Sequence, residues 1–225
     1  MWARFFRRYT MKHYDTILFD LDGTLTDPGL GITNSVMHAL KKYGIETADR
    51  SELYKFIGPP LTESFEKFYG FSKDEAVTAV EYYREYYRDR GIYENSVYDG
   101  IEKLLRELKE KGKTLIVATS KPEIFAKEVL RHFGLDKYFA YIAGGNLDGT
   151  RTVKDEVIRY ALEACGITGR ESAVMVGDRK HDIIGAQAVG LDSIGVLFGY
   201  GSRHELEAAG AVYIAETVED IMKYI

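Results

Sequence analysis

A chain of 225 residues that is 45% hydrophobic and 29% charged, with 22 glycines, has the composition of a folded globular protein and not of a fibrous, disordered or membrane-embedded one. Thirty basic residues against thirty-five acidic ones leave a formal charge of -5, so nothing global favours a nucleic-acid polymer or an anionic membrane, and a small substrate is the expected partner. The single Cys165 excludes an intramolecular disulfide framework and a cysteine zinc site, and no run approaches the roughly 20 apolar residues of a membrane span; the expected compartment is a reducing cytoplasm.

Residues 1–13 open with Trp2, Phe5 and Phe6 beside Arg4, Arg7 and Arg8, but carry no apolar run of signal-peptide length, and they are read as a tail or as a start placed early, with Met11 the true beginning. From Tyr14 onward, short apolar runs alternate with amphipathic helical stretches. Strands are predicted at Thr16 to Phe19, Thr114 to Ala118, Tyr138 to Ile142, Ala173 to Val176, Ser193 to Leu197 and Val212 to Ile214, each too short and too uniformly apolar for a half-exposed sheet. Capping boxes are predicted at Ser72/Glu75, Ser120/Glu123 and Ser202/Glu205, with a shorter acidic version at Thr217/Asp220. Strand-helix alternation of this kind implies an α/β fold, a Rossmann-like doubly wound parallel sheet.

Residues 28–97 break the rhythm. Four helical patterns follow one another there without a strand: Ile32 to Lys42, Asp49 to Phe56, Leu61 to Tyr69 and Lys73 to Arg90. The expected organisation is therefore an α/β core made of 14–27 and 98–225, interrupted by an α-helical cap at 28–97 lying over the mouth of the sheet. Tyr82, Tyr83, Tyr86 and Tyr87 are read as a packing stripe before a pocket lining, and the stretch from Arg84 to Arg90 as a solvated face.

Chemistry gathers at predicted strand ends. Asp20 and Asp22 stand at i and i+2 of an extended segment, on one side of it, and Gly23 lets the chain turn away at once. Two like charges so close call for a cation or a proton between them. Thr119 and Ser120 follow the second strand at a helix start, a seat for an anion, with Lys121 expected to be solvated. Asp178 and Asp182 follow the fourth strand and return to one face within a helical turn. In an open parallel sheet these strand ends share one edge, so the residues converge. A cluster of oxygen ligands suits magnesium, and Lys154, in preference to Arg151, is the lysine expected to neutralise a transferred phosphoryl group.

With DLDGT at Asp20 to Thr24, the hydroxyl at Thr119, the lysine at Lys154 and GDRKHD at Gly177 to Asp182, the chain resembles the haloacid dehalogenase superfamily, specifically its cap-bearing phosphatases of the phosphoglycolate phosphatase type. The resemblance implies Asp20 as the nucleophile that becomes an aspartyl-phosphate and Asp22 as the proton donor to the leaving alcohol. It further implies Thr119, Ser120 and Lys154 as the phosphate-holding groups. Magnesium would be held by Asp20, the backbone carbonyl of Asp22 and Asp178, with Asp182 behind them. The implied activity is hydrolysis of a small-metabolite phosphate monoester. A 5'-nucleotidase acting on nucleoside monophosphates and a mutase similar to beta-phosphoglucomutase are the alternatives. Lys154 is followed by Asp155 and Glu156 where many relatives have Pro-x-Pro. A phosphoacceptor module of the receiver type is the non-enzymatic alternative, disfavoured by the helical insertion. Substrate choice is expected to depend on cap residues around Lys55, Pro59 and Leu61; no role is assigned to His13, His38, His132, His181 or His204. Cys165 reads as a buried helix residue, Arg179 as a partner for a nearby acid, and the assembly as a monomer or homodimer.

Overall fold

The computed structural model describes residues 12–225; the expectation for the first residues therefore falls outside the described chain up to Met11. Lys12 is held to Asp192 by an ion pair of 2.7 Å.

Six parallel strands form the main sheet: β1 (Thr16–Phe19), β4 (Thr114–Pro122), β5 (Tyr141–Gly145), β6 (Ala173–Gly177), β7 (Asp192–Val196) and β8 (Tyr213–Ala215), in the order β5-β4-β1-β6-β7-β8. Apart from this sheet, β2 (Thr26–Asp27) and β3 (Ser96–Val97) make a minute antiparallel pair, which sequence patterning does not reveal because two residues carry no periodicity. The chain leaves β1 toward β4 and β5, then returns to β6 on the other side of β1 and runs on to the opposite edge. β1 is therefore the point at which the winding reverses, where ligands bind in sheets of this kind.

Alternate residues of each inner strand serve different layers. Ile17, Phe19, Leu115, Val117, Val174 and Val176 face one apolar cluster, while Leu18, Ile116, Ala118, Ala173 and Met175 face another. The first cluster is covered by α4 (Ile101–Glu110) and α5 (Glu123–His132), and it runs on without a break into the helical insertion. The second is covered by α6 (Lys154–Ala164) and α7 (Lys180–Ala188). α8 (Arg203–Ala208) lies beyond β7, with Ser202 accepting from the Glu205 N–H at its start. Being apolar on both faces, the strands lack polar alternation for a physical reason: neither face meets water.

The insertion contains α1 (Gly29–Lys42), a 3-10 stretch at Arg50–Phe56 capped by the Asp49 carboxylate, α2 (Leu61–Tyr69) and α3 (Lys73–Tyr86), the last opened by the Ser72/Glu75 box. The expected continuation of α3 to Arg90 is replaced by a π turn at Tyr87–Gly91. β2 and β3 pair Thr26 with Val97 and Asp27 with Ser96, so the two connections to the sheet run side by side.

Several boundaries differ from expectation. β5 starts at Tyr141 and not Tyr138, because Asp136–Tyr138 closes a 3-10 turn, and it ends in Gly144-Gly145, which no apolar pattern could reveal. A Cβ on Gly144 would lie 2.5 Å from the Glu123 Cα, so the absence of a side chain is what lets the strand approach its neighbour. β4 runs to Pro122, and Pro122 itself caps α5, so Ser120 forms no capping box. The freed Glu123 carboxylate pairs instead with Lys127 at 2.6 Å and Arg151 at 3.3 Å. Cys165 caps the end of α6 and is only partly buried.

Candidate active site

β1 delivers Asp20 and Asp22 to the C-terminal edge of the sheet, with the Asp20 N–H tied to the Val176 carbonyl at 2.9 Å. Gly23 takes φ +85, and a Cβ there would lie 2.3 Å from the Asp178 Oδ2, so both the turn and the meeting of two strand ends require glycine. β6 delivers Asp178, and the first turn of α7 delivers Asp182, whose Oδ2 accepts from the Arg179 N–H at 3.0 Å. One carboxylate oxygen from each of Asp20, Asp178 and Asp182 lies within 4.8 Å of the others, and all three side chains are buried. Residues scattered along the chain thus converge as the strand-end argument requires.

Lys154 enters this cluster from the start of α6. Its Nζ stands 2.9 Å from Asp20 Oδ1 and 2.7 Å from Asp182 Oδ1, and donates to the Ala118 carbonyl at 3.1 Å. Burial opposes its charge, but Asp182 and Asp20 outweigh burial and hold the ammonium firmly protonated. Its rival Arg151 points elsewhere, toward Gly144, Glu123 and Asn146.

Lys121 departs from the expectation of a solvated residue. Its side chain is 6% exposed, and Nζ meets Asp22 Oδ2 at 2.7 Å and the Tyr87 ring face at 4.9 Å. β4 extends to Pro122 through a break in its pairing register between Ala118 and Pro122, so the inward turn of Lys121 follows no strand or helix periodicity that the sequence could show. Thr119 is buried and its Oγ1 accepts from the Lys121 N–H at 3.3 Å. Ser120 lines the cavity at half burial.

Burial dominates the electrostatics. It raises the Asp22 carboxyl above the usual carboxylate range, with Lys121 pulling the other way. Asp178 is raised well above that range by burial and then by Asp182 and Asp20, while Asp182 is pushed up to about 6 by burial against the opposing pull of Lys154. With all four ionised, the buried carboxylates Asp20, Asp22, Asp178 and Asp182 would face two buried ammonium groups, Lys121 and Lys154, leaving two negative charges uncompensated, which is why burial pushes protons onto the cluster when no cation is bound. Asp178 Oδ1 and Asp22 Oδ1 have no hydrogen-bond partner among the described residues. An all-oxygen donor set with an excess of two charges fits one divalent cation of the hard kind, magnesium among them. The side chains that could hold it are Asp20, Asp178 and Asp182; the Asp22 carboxylate lies outside that group and is occupied by Lys121.

A cavity of about 140 Å3 opens from Asp20, Asp22 and Thr119 toward the helical insertion. Its far wall is apolar and aromatic: Phe56, Val80, Tyr83 and Tyr87 from the insertion, Phe125 from α5. Tyr83 and Tyr87 are at once packing residues and pocket walls, and Arg84 also lines the cavity, so the stretch read as a solvated face is in part an inner one. Pro59 and Leu61 meet the cavity as expected, whereas Lys55 is exposed and stands over the Phe68 ring. Arg179 bonds Glu205 at 3.0 Å and the Ile57 carbonyl at 2.6 Å, joining the insertion to the sheet edge. None of the histidines lines this cavity; His181 lines a neighbouring one. Among the described residues no helix is long and apolar enough to cross a membrane.

Comparison with known proteins follows the same lines. The family model described as haloacid dehalogenase-like hydrolase matches residues 17–196. A protein named 5'-nucleotidase from Pseudomonas aeruginosa is 52% identical over 195 residues, spanning 87% of this chain and 88% of its own. A protein named tyrosine-protein kinase PtkA from Mycobacterium tuberculosis is 40% identical over 208 residues, 91% of this chain and 70% of its own. Among solved structures, one described as a predicted phosphatase from Clostridium acetobutylicum superposes with a TM-score of 0.91 at 50% identity, covering 94% of this chain and 97% of its own.

Proposed function

Because the chain belongs to the haloacid dehalogenase-like hydrolases and is a phosphatase of that family, we propose that it hydrolyses a small phosphate monoester, with magnesium, through an aspartyl-phosphate on Asp20. The observation that carries this reading is the cluster of Asp20, Asp178 and Asp182 with the Lys154 ammonium bridging Asp20 and Asp182, and with Asp20 and Asp22 both lining the cavity.

In the proposed sequence an Asp20 carboxylate oxygen attacks phosphorus, the phosphorus–ester oxygen bond breaks, and the proton on Asp22 passes to the departing oxygen. Burial favours the protonated form of Asp22 and so readies it for this step. The deprotonated Asp22 then takes a proton from water, whose oxygen attacks the phosphorus and returns Asp20 and inorganic phosphate. Lys154, Thr119 and the N–H groups around Ser120 hold the phosphoryl oxygens. Asp20, Asp178 and Asp182, with the Asp22 carbonyl, would hold a divalent cation, which when bound would supply positive charge to the phosphoryl group. Residues 28–97 act as a cap that shields the reaction from bulk water.

The aromatic wall favours a leaving group with a planar or apolar body over a short charged one. That supports a nucleoside 5'-monophosphate more than phosphoglycolate, as does the 52% identical relative. A partner other than a small phosphorylated metabolite, and a compartment other than the cytoplasm, are not needed by this reading. The test is phosphate release from uridine monophosphate, phosphoglycolate and beta-glucose 1-phosphate, with magnesium and with EDTA, by the wild type and by Asp20→Asn. Release is expected with magnesium only and is expected to fall by about 10⁴ or more in the variant, as when a nucleophile is removed. Wild-type turnover by Asp20→Asn overturns the mechanism, and conversion of the hexose phosphate to an isomer without phosphate release identifies the mutase instead.

A further inference from the structure

Arg151 takes φ +51, a left-handed backbone conformation that no other non-glycine residue adopts among those described. Such strain persists only where the surroundings impose it. Here they do so by gripping the side chain. The guanidinium lies 3.7 Å from the Tyr160 ring centroid, and it donates to the Gly144 carbonyl at 2.9 Å, to Asn146 Oδ1 at 3.0 Å and to Glu123 Oε2 at 3.3 Å. Tyr160 is itself fixed by a 2.7 Å hydrogen bond to Tyr141 on β5. A planar fork on a ring face with three acceptors around it is a geometry that lysine cannot copy.

What the fork holds is the loop from Asn146 to Thr152. The loop is closed on itself by the Asn146 N–H to the Thr150 carbonyl at 2.9 Å and by the Asp148 carboxylate, which accepts from the Thr150 N–H at 2.9 Å. Together with Arg84 of α3, Asn146, Gly149 and Thr152 line the catalytic cavity and form a rim of it. At its tip the Leu147 carbonyl accepts from Arg84 of α3 at 2.9 Å, a contact 63 residues apart in sequence that joins the helical insertion to the sheet. The loop is thus both the rim of the pocket and the place where the insertion rests.

From this we infer that Arg151 is a positioning residue for substrate selection: it holds the 146–152 loop as the rim against which the leaving group of the substrate is clamped when the insertion docks through Arg84. The inference rests on the phosphatase reading. Arg151 touches neither the phosphate-holding groups nor the acidic cluster, so it acts on leaving groups that reach the rim and not on the chemical step.

The test compares p-nitrophenyl phosphate, whose leaving group is long enough to reach the rim, with methyl phosphate, whose leaving group is not. Arg151→Met is expected to raise KM for p-nitrophenyl phosphate about fivefold or more while kcat stays within about twofold, and to leave the KM for methyl phosphate within about twofold. Arg151→Lys is expected to behave as Arg151→Met does. Arg151→Gly, which relieves the backbone strain but deletes the fork, is expected to do so too; rescue by glycine overturns the inference. In an Arg84→Met background the effect of Arg151→Met is expected to shrink by half or more, because both act through one loop. Chymotryptic cleavage after Leu147 is expected to speed up in Arg151→Met without a matching fall in melting temperature. Should Arg151→Met fold poorly, Glu123→Gln, which weakens the same grip from the other side, is expected to reproduce the KM shift. Equal kcat losses on both substrates, or unchanged KM on both, overturn the inference. A wild type that hydrolyses neither ester overturns the phosphatase reading itself, a result distinct from either.

Discussion

Replacing Asp178 by asparagine separates the stability of the acidic cluster from its capacity to hold a cation. The wild-type site sets four buried carboxylates against two ammonium groups, and Asp178 is the least compensated of the four. It is fully buried; its Oδ2 accepts from the Tyr200 N–H at 2.7 Å, and its Oδ1 has no hydrogen-bond partner among the described residues. Asparagine keeps an acceptor for Tyr200, removes one charge of the uncompensated two, and offers an amide donor to the Asp20 and Asp182 oxygens that share its 4.8 Å neighbourhood. Relieving an unpaired buried charge is worth about 1–3 kcal/mol. For a chain of this size that is a rise of roughly 2–10 °C in melting temperature. Thermal melts in EDTA and in magnesium provide the assay. In EDTA the variant is expected to melt above the wild type. Magnesium is expected to raise the wild type, by about 1.4 kcal/mol at ten times its Kd, and to leave the variant nearly unmoved. A variant that melts below the wild type in EDTA, or that gains as much from magnesium, refutes the charge argument.

Other substitutions test other parts of the structure. Lys121→Met leaves the Asp22 carboxylate buried without its partner and is expected to cost about 3–5 kcal/mol in urea denaturation. Adding Asp22→Asn should recover most of that loss; a double variant as unstable as the single one shows that the ion pair is not the source. Gly31→Ala would set a Cβ 1.9 Å from the Gly91 carbonyl oxygen, where α1 crosses the π turn. Because backbone and not a flexible side chain is in the way, a loss of about 1–3 kcal/mol is expected, and an unchanged denaturation midpoint would show that this crossing is loose.

Much of the fold is legible in the order of the residues alone. Short strands apolar on both faces, separated by amphipathic helices, announce a parallel sheet covered on two sides, because only such a sheet buries every side chain of its strands. The insertion is legible as a break in that alternation, and α2 matches its predicted limits, Leu61 to Tyr69, to the residue. The departures are local and traceable. The end of β5 consists of glycines, which have no hydrophobic signature; β2 and β3 are two residues each; and β4 runs four residues beyond its expected end at Ala118, so that Pro122 displaces the expected Ser120 cap.

The chemistry divides along the same line. Residue types and their order place Asp20, Asp22, Thr119 and Asp178 near the ends of strands that must share one edge of the sheet, and Lys154 and Asp182 in the first turns of the helices that follow two of those strands. Distances between those side chains belong to the tertiary structure alone. So does the pairing of Lys121 with Asp22, since whether an ammonium meets water or a carboxylate 99 residues away depends on which helix covers it. The same holds for the aromatic wall, made by segments that meet only when the insertion folds back over the sheet, and for the Arg151 grip, made where β5, α5 and α6 come together. Sequence periodicity reports which side of an element is buried; it carries no information about what lies on the other side of the contact.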